Sequence, residues 1–272
     1  MMSLLEGMML RDYDNKNTIK KGRGHLLLAI IISFCLIVVV DIQSHASSLE
    51  LVNVTHVIDG DTVVLDDQRH VRLLGINAPE VSHGNGVNEA GGIAAKELLK
   101  SLLKNAKVML EKDAEAFDQY GRTLAYLRTS DGININRELV RRGVAAVNIY
   151  PPNVKYSREL IGDQTIAEIE GLGIWQMPDY QLHSIGEFLT NKRKGWGRYQ
   201  STVTHIDVER KGAKLWLGAV VYIWINSDNL KYFSDVYDYL NQSIEVRGWP
   251  RKWGKYWSIQ ARHPSQIIVQ PS

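Results

Sequence analysis

The chain has 272 residues, enough for two small domains, and its formal net charge of +2 is close to neutral. That charge neither favours nor excludes nucleic-acid binding, because a local basic groove is sufficient for it. The hydrophobic fraction of 44% and charged fraction of 23% are those of an ordinary folded soluble protein, which argues against a fully disordered chain.

The N-terminal segment has the pattern of a secretory signal peptide. Basic residues precede an apolar stretch over residues 26–40, which is shorter than the roughly 20 residues of a membrane span. We expect cleavage after Ala46 and export to the bacterial periplasm or the medium; the alternative is an uncleaved anchor in the inner membrane. Because the only cysteine is Cys35, cleavage would exclude disulfides and cysteine metal sites from the mature chain.

The first part of the mature chain reads as strands with one inserted helix. Residues 51–65 alternate well enough for two strands, with a turn at residues 59–61. Residues 71–76 predict another strand, and the glycine-rich residues 84–92 predict a loop. Apolar residues at helical spacing predict a helix over residues 93–106.

Two more strands and two more helices follow. Residues 107–112 and 123–129 predict a hairpin whose loop holds residues 118–122. Asn136 and Ser157 are the predicted N-caps of the next two helices. About five strands with an inserted helix predict a small closed barrel.

The last part of the chain again has strand character. Residues 181–195 predict a linker or a short helix, and the segments beyond it predict a second small β-barrel of OB-like type. Those segments are residues 199–208, 214–226, 243–248, 256–262 and 266–269. The chain is therefore predicted to be mainly β with inserted helices (α+β). The predicted divisions are a signal peptide or anchor (residues 1–46), a barrel domain (47–180), a linker (181–195) and a β-rich C-terminal domain (196–272).

Three short runs carry the chemistry, namely residues 57–63, 71–80 and 118–126. Each places a few polar groups inside an apolar, strand-like frame. Together they supply oxygen ligands, one candidate base and two arginines. These groups suit phosphodiester cleavage, because guanidiniums clamp an anionic phosphate and a cation neutralises the charge of the transition state.

The candidate metal ligands are Asp61, the amide oxygen of Asn77 and the backbone carbonyl of Ala78. An Asp-Gly-Asp motif alone more often does no more than make a turn. With Asn77 at the end of the next strand, however, the oxygen-rich cluster suits Ca²⁺, which takes six to eight oxygen ligands.

The candidate catalytic side chains are Arg72, Glu80 and Arg122. Arg72 lies in an apolar strand, and an inward-pointing arginine needs an anionic partner, such as a substrate phosphate or Glu80. Surface roles remain the alternative for Glu80 and Arg122. Tyr120 and Tyr150 are candidates for base stacking or phosphate contact, although Tyr150 fits structural packing equally well.

The three runs, in this order and spacing, resemble the thermonuclease (staphylococcal nuclease-like) family over residues 51–178. The resemblance implies an OB-type barrel and Ca²⁺-dependent hydrolysis of DNA and RNA, with low sequence specificity and 3′-phosphate products. It also implies roles for the candidate residues: calcium ligands at Asp61, Asn77 and Ala78, phosphate contacts at Arg72 and Arg122, a water-orienting or general-base role for Glu80, and a match to a family tyrosine at Tyr120.

One departure from the family pattern concerns the metal site. The family often has aspartate where this chain has Asn77, so we expect a weaker calcium site. The competing interpretation is a catalytically weak or inactive double barrel that binds nucleic acid or protein.

The C-terminal domain is rich in both aromatic and basic residues, most densely over residues 247–257. Aromatic platforms beside basic side chains are typical of single-stranded nucleic-acid binding. Contact with protein or cell wall, or a plain tryptophan-rich core, are the alternatives. DNA and RNA, preferably single-stranded, are the predicted partners, and we expect a monomer.

Overall fold

The computed structural model describes residues 49–82, 86–104, 107–192 and 195–271. The predicted signal peptide or anchor at residues 1–46 lies outside these ranges. Within them, no helix has both the length and the apolar character needed to cross a membrane.

The first part of the chain forms a closed five-stranded barrel, in the order β1-β2-β3-β6-β5. The first six strands in chain order are β1 (Glu50–Val57), β2 (Thr62–Leu65), β3 (His70–Leu73), β4 (Ile76–Asn77), β5 (Lys107–Glu111) and β6 (Thr123–Arg128). The parallel pairing of β3 with β6 completes the ring of otherwise antiparallel strands. Strand β4 instead pairs with β7 (Ala146–Val147). The predicted barrel is therefore confirmed.

Three helices surround the barrel: α1 (Gly92–Leu102), α2 (Ile135–Arg141) and α3 (Ser157–Ile169). Helix α1 is inserted between β4 and β5 and buries Ala95 and Leu99 in the barrel core, as its apolar spacing predicts. Helix α3 follows Tyr156 at the N-cap position without a side-chain cap, so the predicted Ser157 cap is wrong.

Helix α2 is capped by Asn134, and the predicted Asn136 cap is wrong. Asn136 lies inside the helix and is fully buried. Its Oδ1 accepts a hydrogen bond from the backbone N of Leu127 at 3.1 Å, and its Nδ2 donates to the carbonyl of Leu74 at 2.9 Å. The side chain therefore satisfies buried backbone groups where the barrel meets α2.

The C-terminal module, residues 182–271, contains nine strands in two sheets among its described residues. One sheet has the order β10-β11-β12-β15-β14 and the other β16-β13-β9-β8. The strands are β8 (Leu182–Ser184), β9 (Gly197–Thr202), β10 (His205–Glu209), β11 (Gly212–Trp216), β12 (Val221–Asn226), β13 (Ser243–Gly248), β14 (Pro250–Trp253), β15 (Tyr256–Ala261) and β16 (Ile267–Val269); the helices are α4 (Ile185–Asn191) and α5 (Ser227–Leu230).

The two sheets of the C-terminal module share one hydrophobic core. In β12 the burial alternates, with Val221, Ile223 and Ile225 inside, as expected for a strand with one buried face. The segment predicted as a linker or short helix carries β8 and α4, and β8 pairs with β9. The OB-like character of this module stays a prediction.

Strand β13 buries both of its faces. Its apolar residues join the module core, whereas Glu245 and Arg247 face the end of α3. The Arg247 guanidinium donates to both carboxylate oxygens of Glu168 at 2.6 and 2.8 Å and lies over the ring of Trp175. Arg198 and Arg247 both donate to Glu245. This ion-pair cluster joins the C-terminal module to the barrel and its helices within one unit, Ser48–Ser272.

Candidate active site

The turn between β1 and β2 brings Asp61 against the end of β4. A Cβ atom at Gly60 would lie 2.5 Å from the Cβ atoms of both Ala78 and Ala95. Glycine is therefore required there, because a side chain would push the turn away from α1 and from Ala78.

The Asp61 carboxylate is almost fully buried and accepts several hydrogen bonds. Its Oδ2 accepts from the backbone N of Ala78 at 2.7 Å and forms an ion pair with Arg72 Nη2 at 3.0 Å. Its Oδ1 accepts from the hydroxyl of Thr62 at 3.0 Å. These contacts fix Asp61 beside two of the other predicted site residues.

Arg72 projects from β3 and is held by three hydrogen-bond acceptors and one ion pair. Its Nη1 donates to the carbonyls of Leu73 at 3.0 Å and Ile76 at 3.1 Å, and its Nη2 donates to Asn77 Oδ1 at 3.3 Å. Asp61 forms the ion pair. The anionic partner of Arg72 within the protein is thus Asp61 rather than Glu80, which was one of the two partners suggested by the sequence.

The three predicted metal ligands lie together: Asp61 and Asn77 both contact Arg72, and the backbone N of Ala78 donates to Asp61. Every donor atom is an oxygen, which fits a hard cation such as Ca²⁺. Burial raises the pKa of Asp61 to about 7, and the neighbouring charge of Arg72 opposes the shift. Within the described ranges, no group of three or more His, Cys, Asp and Glu side chains could hold a metal. The predicted ligand set contributes one carboxylate, that of Asp61, together with Asn77, Ala78 and water.

Asp59 is a site residue that the sequence interpretation missed. Its carboxylate is buried and accepts a hydrogen bond from the backbone N of Asp61 at 3.0 Å. Its charge also helps to raise the pKa of both Asp61 and Glu80. The signal was present in the Asp59-Gly60-Asp61 motif, but the first aspartate was assigned only to the turn.

Glu80 presents an exposed carboxylate near this cluster. Its backbone N donates to Glu89 Oε2 at 3.0 Å, and its carbonyl accepts from the Glu89 backbone N, which fixes the local chain. Partial burial and the charge of Asp59 raise the pKa of Glu80, while Arg72 and Arg122 oppose the shift. A raised pKa makes this carboxylate a better general base near neutral pH.

Arg122 is positioned by a tight loop between β5 and β6. Asp118 Oδ1 accepts from the backbone N of both Tyr120 and Arg122 at 2.9 Å, and Gly121 supplies the left-handed turn with φ of 78°. Asp118 Oδ2 then accepts from Arg122 Nε at 2.8 Å. Asp118, for which the sequence analysis predicts no role, therefore orients the predicted phosphate-binding arginine.

Arg72, Asn77, Tyr120 and Arg122 line a cleft with a volume of about 630 Å³. Asp61, Ala78 and Glu80 are not part of its lining, but Arg72 links the first of them to the cleft. Tyr120 is 75% exposed, which leaves its ring accessible.

Tyr150 also lines the cleft, and the C-terminal module supplies the remaining wall. Arg262 lies over the Tyr150 ring, with Cζ 4.4 Å from the ring centre, so one ring face is covered. Trp249, Arg251 and Gln260 complete this part of the lining.

Sequence comparisons agree with the geometry. The family model for staphylococcal nuclease homologues matches residues 70–177. A thermonuclease of Staphylococcus intermedius is 41% identical over 127 residues, which cover 45% of this chain and 74% of that protein. A thermonuclease of Staphylococcus hyicus is 36% identical over 125 residues, covering 45% and 73%. Endonuclease YncB of Bacillus subtilis is 36% identical over 138 residues, covering 48% and 65%. The matched region and the site it contains show that the chain belongs to the thermonuclease, or staphylococcal nuclease-like, family.

Proposed function

We propose that this protein is a Ca²⁺-dependent nuclease that cleaves DNA and RNA with low sequence specificity and leaves 3′-phosphate ends. Membership of the family makes the chain a phosphodiester hydrolase. The observation that carries the proposal is the convergence of Arg72, Asn77 and Arg122 on one cleft, with Asp61 held directly behind Arg72.

The proposed reaction uses water as the nucleophile. Glu80 accepts a proton from the water, whose oxygen forms a new bond to phosphorus while the bond from phosphorus to the 5′-oxygen breaks. The leaving 5′-oxygen takes up a proton from solvent. Arg72 and Arg122 hold the phosphate and stabilise its growing negative charge.

Asp61, Asn77 and Ala78 would hold the calcium ion, with waters completing its coordination. When bound, such a cation neutralises negative charge on the phosphate oxygens. Because Asn77 brings no charge, we propose that the site binds calcium more weakly than one with two carboxylates.

On the strength of the N-terminal pattern, we propose export to the periplasm or the medium after removal of residues 1–46. We further propose action as a monomer and a preference for single strands. The mass of the mature protein tests the export step, because loss of the first 46 residues excludes membrane tethering.

The test is cleavage of labelled single-stranded and duplex DNA by the chain that begins at Ser47, with Ca²⁺ or with EGTA. We expect calcium-dependent cutting that falls about 100- to 10,000-fold in Glu80→Gln, because general-base help is of that size. Glu97→Gln is the matched control, since Glu97 is an exposed residue of α1 that pairs only with Lys100 among the described residues.

Two results would contradict the proposal. Equal cutting by wild type and Glu80→Gln would remove Glu80 as the base. A folded wild type that binds DNA in Ca²⁺ but does not cut it would favour the nucleic-acid-binding double barrel.

A further inference from the structure

The C-terminal module shares the cleft with the nuclease-like part. Trp249, Arg251, Gln260 and Arg262 line the same cavity as Arg72 and the Arg122 loop. Strands β14 and β15 are paired antiparallel, and Arg251 lies on the first of them while Arg262 directly follows the second. The cleft therefore continues beyond the residues expected to contact the scissile phosphate.

Arg251 and Arg262 differ from the other arginines near the site in having no carboxylate partner among the described residues. Arg72 pairs with Asp61, and Arg122 pairs with Asp118. Arg262 instead donates to Gln260 Oε1 at 2.7 Å. Uncompensated positive charge in this cleft is thus concentrated on the C-terminal wall.

Arg262 is partly buried, and its side chain is held in place by its neighbours. It lies 4.4 Å above the Tyr150 ring, which orients its guanidinium in the cleft. Burial, together with the neighbouring charge of Arg251, lowers the pKa of Arg262. A partly buried guanidinium beside a second, exposed one is stabilised by an anion bound next to them.

We infer that Arg251 and Arg262, together with the ring of Trp249, form a binding subsite for a single nucleic-acid strand beyond the scissile phosphate. The two guanidiniums bind backbone phosphates, and the indole ring offers a surface on which a base stacks. A cleft of about 630 Å³ has the size of a small-ligand pocket and takes a few nucleotides of one strand.

The subsite assigns a different role to Tyr150 from the one expected. Since Arg262 covers one face of its ring, Tyr150 is a positioning residue for that guanidinium. This inference rests on the proposed function only for the substrate class, because the subsite binds nucleic acid whether or not the bond is cut.

The test measures binding without cleavage, in the Glu80→Gln background. Fluorescence anisotropy with a labelled ten-nucleotide DNA strand gives the Kd at several salt concentrations. For a single strand, each phosphate contact makes the slope of log K against log salt steeper by about 0.7. We expect Arg251→Gln with Arg262→Gln to weaken binding at least tenfold and to reduce the slope by about 1.4.

The matched control removes the same charge elsewhere. Arg210 and Lys211 lie exposed at the turn between β10 and β11, outside the cleft. Arg210→Gln with Lys211→Gln should leave both the Kd and the slope unchanged. Trp249→Ala should weaken binding without changing the slope, because stacking releases no counterions.

The charge-retaining pair Arg251→Lys with Arg262→Lys is the control for misfolding. It alters the same two positions but keeps their charges, so a folded variant should keep the wild-type slope. If the Gln pair matches the control pair in both Kd and slope, the inference is overturned. If binding behaves as expected but wild type with Ca²⁺ does not cut, the subsite stands and only the proposed reaction fails.

Discussion

Arg72 holds the two side-chain oxygens assigned to the cation. Its Nη2 lies 3.0 Å from Asp61 Oδ2 and 3.3 Å from Asn77 Oδ1. A cation bound by those oxygens would therefore compete with this guanidinium, and the charge of its ligands would decide how well it competes.

Asn77→Asp should lower the Ca²⁺ concentration needed for half-maximal activity, because it adds a second carboxylate beside Asp61. Calcium titrations of activity and calorimetry of calcium binding would both measure the change. Asn191→Asp, an exposed change at the end of α4, is the control. An unchanged or higher Ca²⁺ concentration for half-maximal activity in Asn77→Asp would remove Asn77 from the ligand set.

Arg122→Lys should reduce kcat by about 100-fold, comparable to the loss of one transition-state donor. Lysine keeps the charge but loses the Nε contact with Asp118 and the forked geometry that binds phosphate. Steady-state kinetics would show it, with Arg141→Lys at the exposed end of α2 as the control. Wild-type kcat in the lysine variant would mean that Arg122 contributes charge alone.

At the scale of elements, Asn136 ties α2 to the barrel. Asn136→Ala should lower the free energy of unfolding by about 1–3 kcal/mol, because it leaves the Leu127 N–H and the Leu74 carbonyl short of a partner. Urea unfolding would measure this loss, and Asn191→Ala should show almost none. A loss below about 0.5 kcal/mol would indicate that water satisfies both groups.

The barrel strands and α1 could be predicted because their burial follows local periodicity. The cap of α2 could not, because Asn134 and Asn136 are two residues apart and chemically equal. What separates them is the hydrogen bonding of the Asn136 side chain to β6 and to Leu74, which are distant in the chain. The role of Asp59 could not be predicted for a related reason. A turn alone accounts for an aspartate at this position, and its effect on Glu80 appears only when the two distant segments come together.

At the scale of the whole molecule, the cluster around Glu245 sets an acid limit on stability. Burial alone would raise the pKa of Glu245, but hydrogen bonding from Arg198 and the charge of Arg247 outweigh it and lower that pKa. A lowered folded-state pKa adds stability that is present above the ordinary glutamate value of about 4.3 and is lost as pH falls through the folded-state value.

Glu245→Gln should therefore reduce stability near pH 7 and should make the remaining stability fall less steeply between about pH 5 and pH 3. Thermal unfolding across that range would measure the effect. Glu209→Gln, at an exposed pair with Lys214, is the control. Parallel wild-type and Glu245→Gln curves over the acid range would contradict the assignment.

Local patterns do not predict that the barrel and the C-terminal module both line the cleft. The alternation in β13 places Glu245 and Arg247 on one face, but their partner Glu168 is 79 residues from Arg247 in the chain. Basic residues of the C-terminal module that look alike in sequence thus divide into two groups: Arg198 and Arg247 are neutralised, whereas Arg251 and Arg262 face the cleft.

The same separation in the chain has a consequence for the order of folding. A contact between residues far apart in the chain carries a larger loop-closure entropy cost than a local contact, and this cost slows its formation. The pairing of Glu168 with Arg247, which are 79 residues apart, is of this kind. We therefore expect this pairing, and with it the C-terminal wall of the cleft, to form after the local turns and hairpins of the barrel.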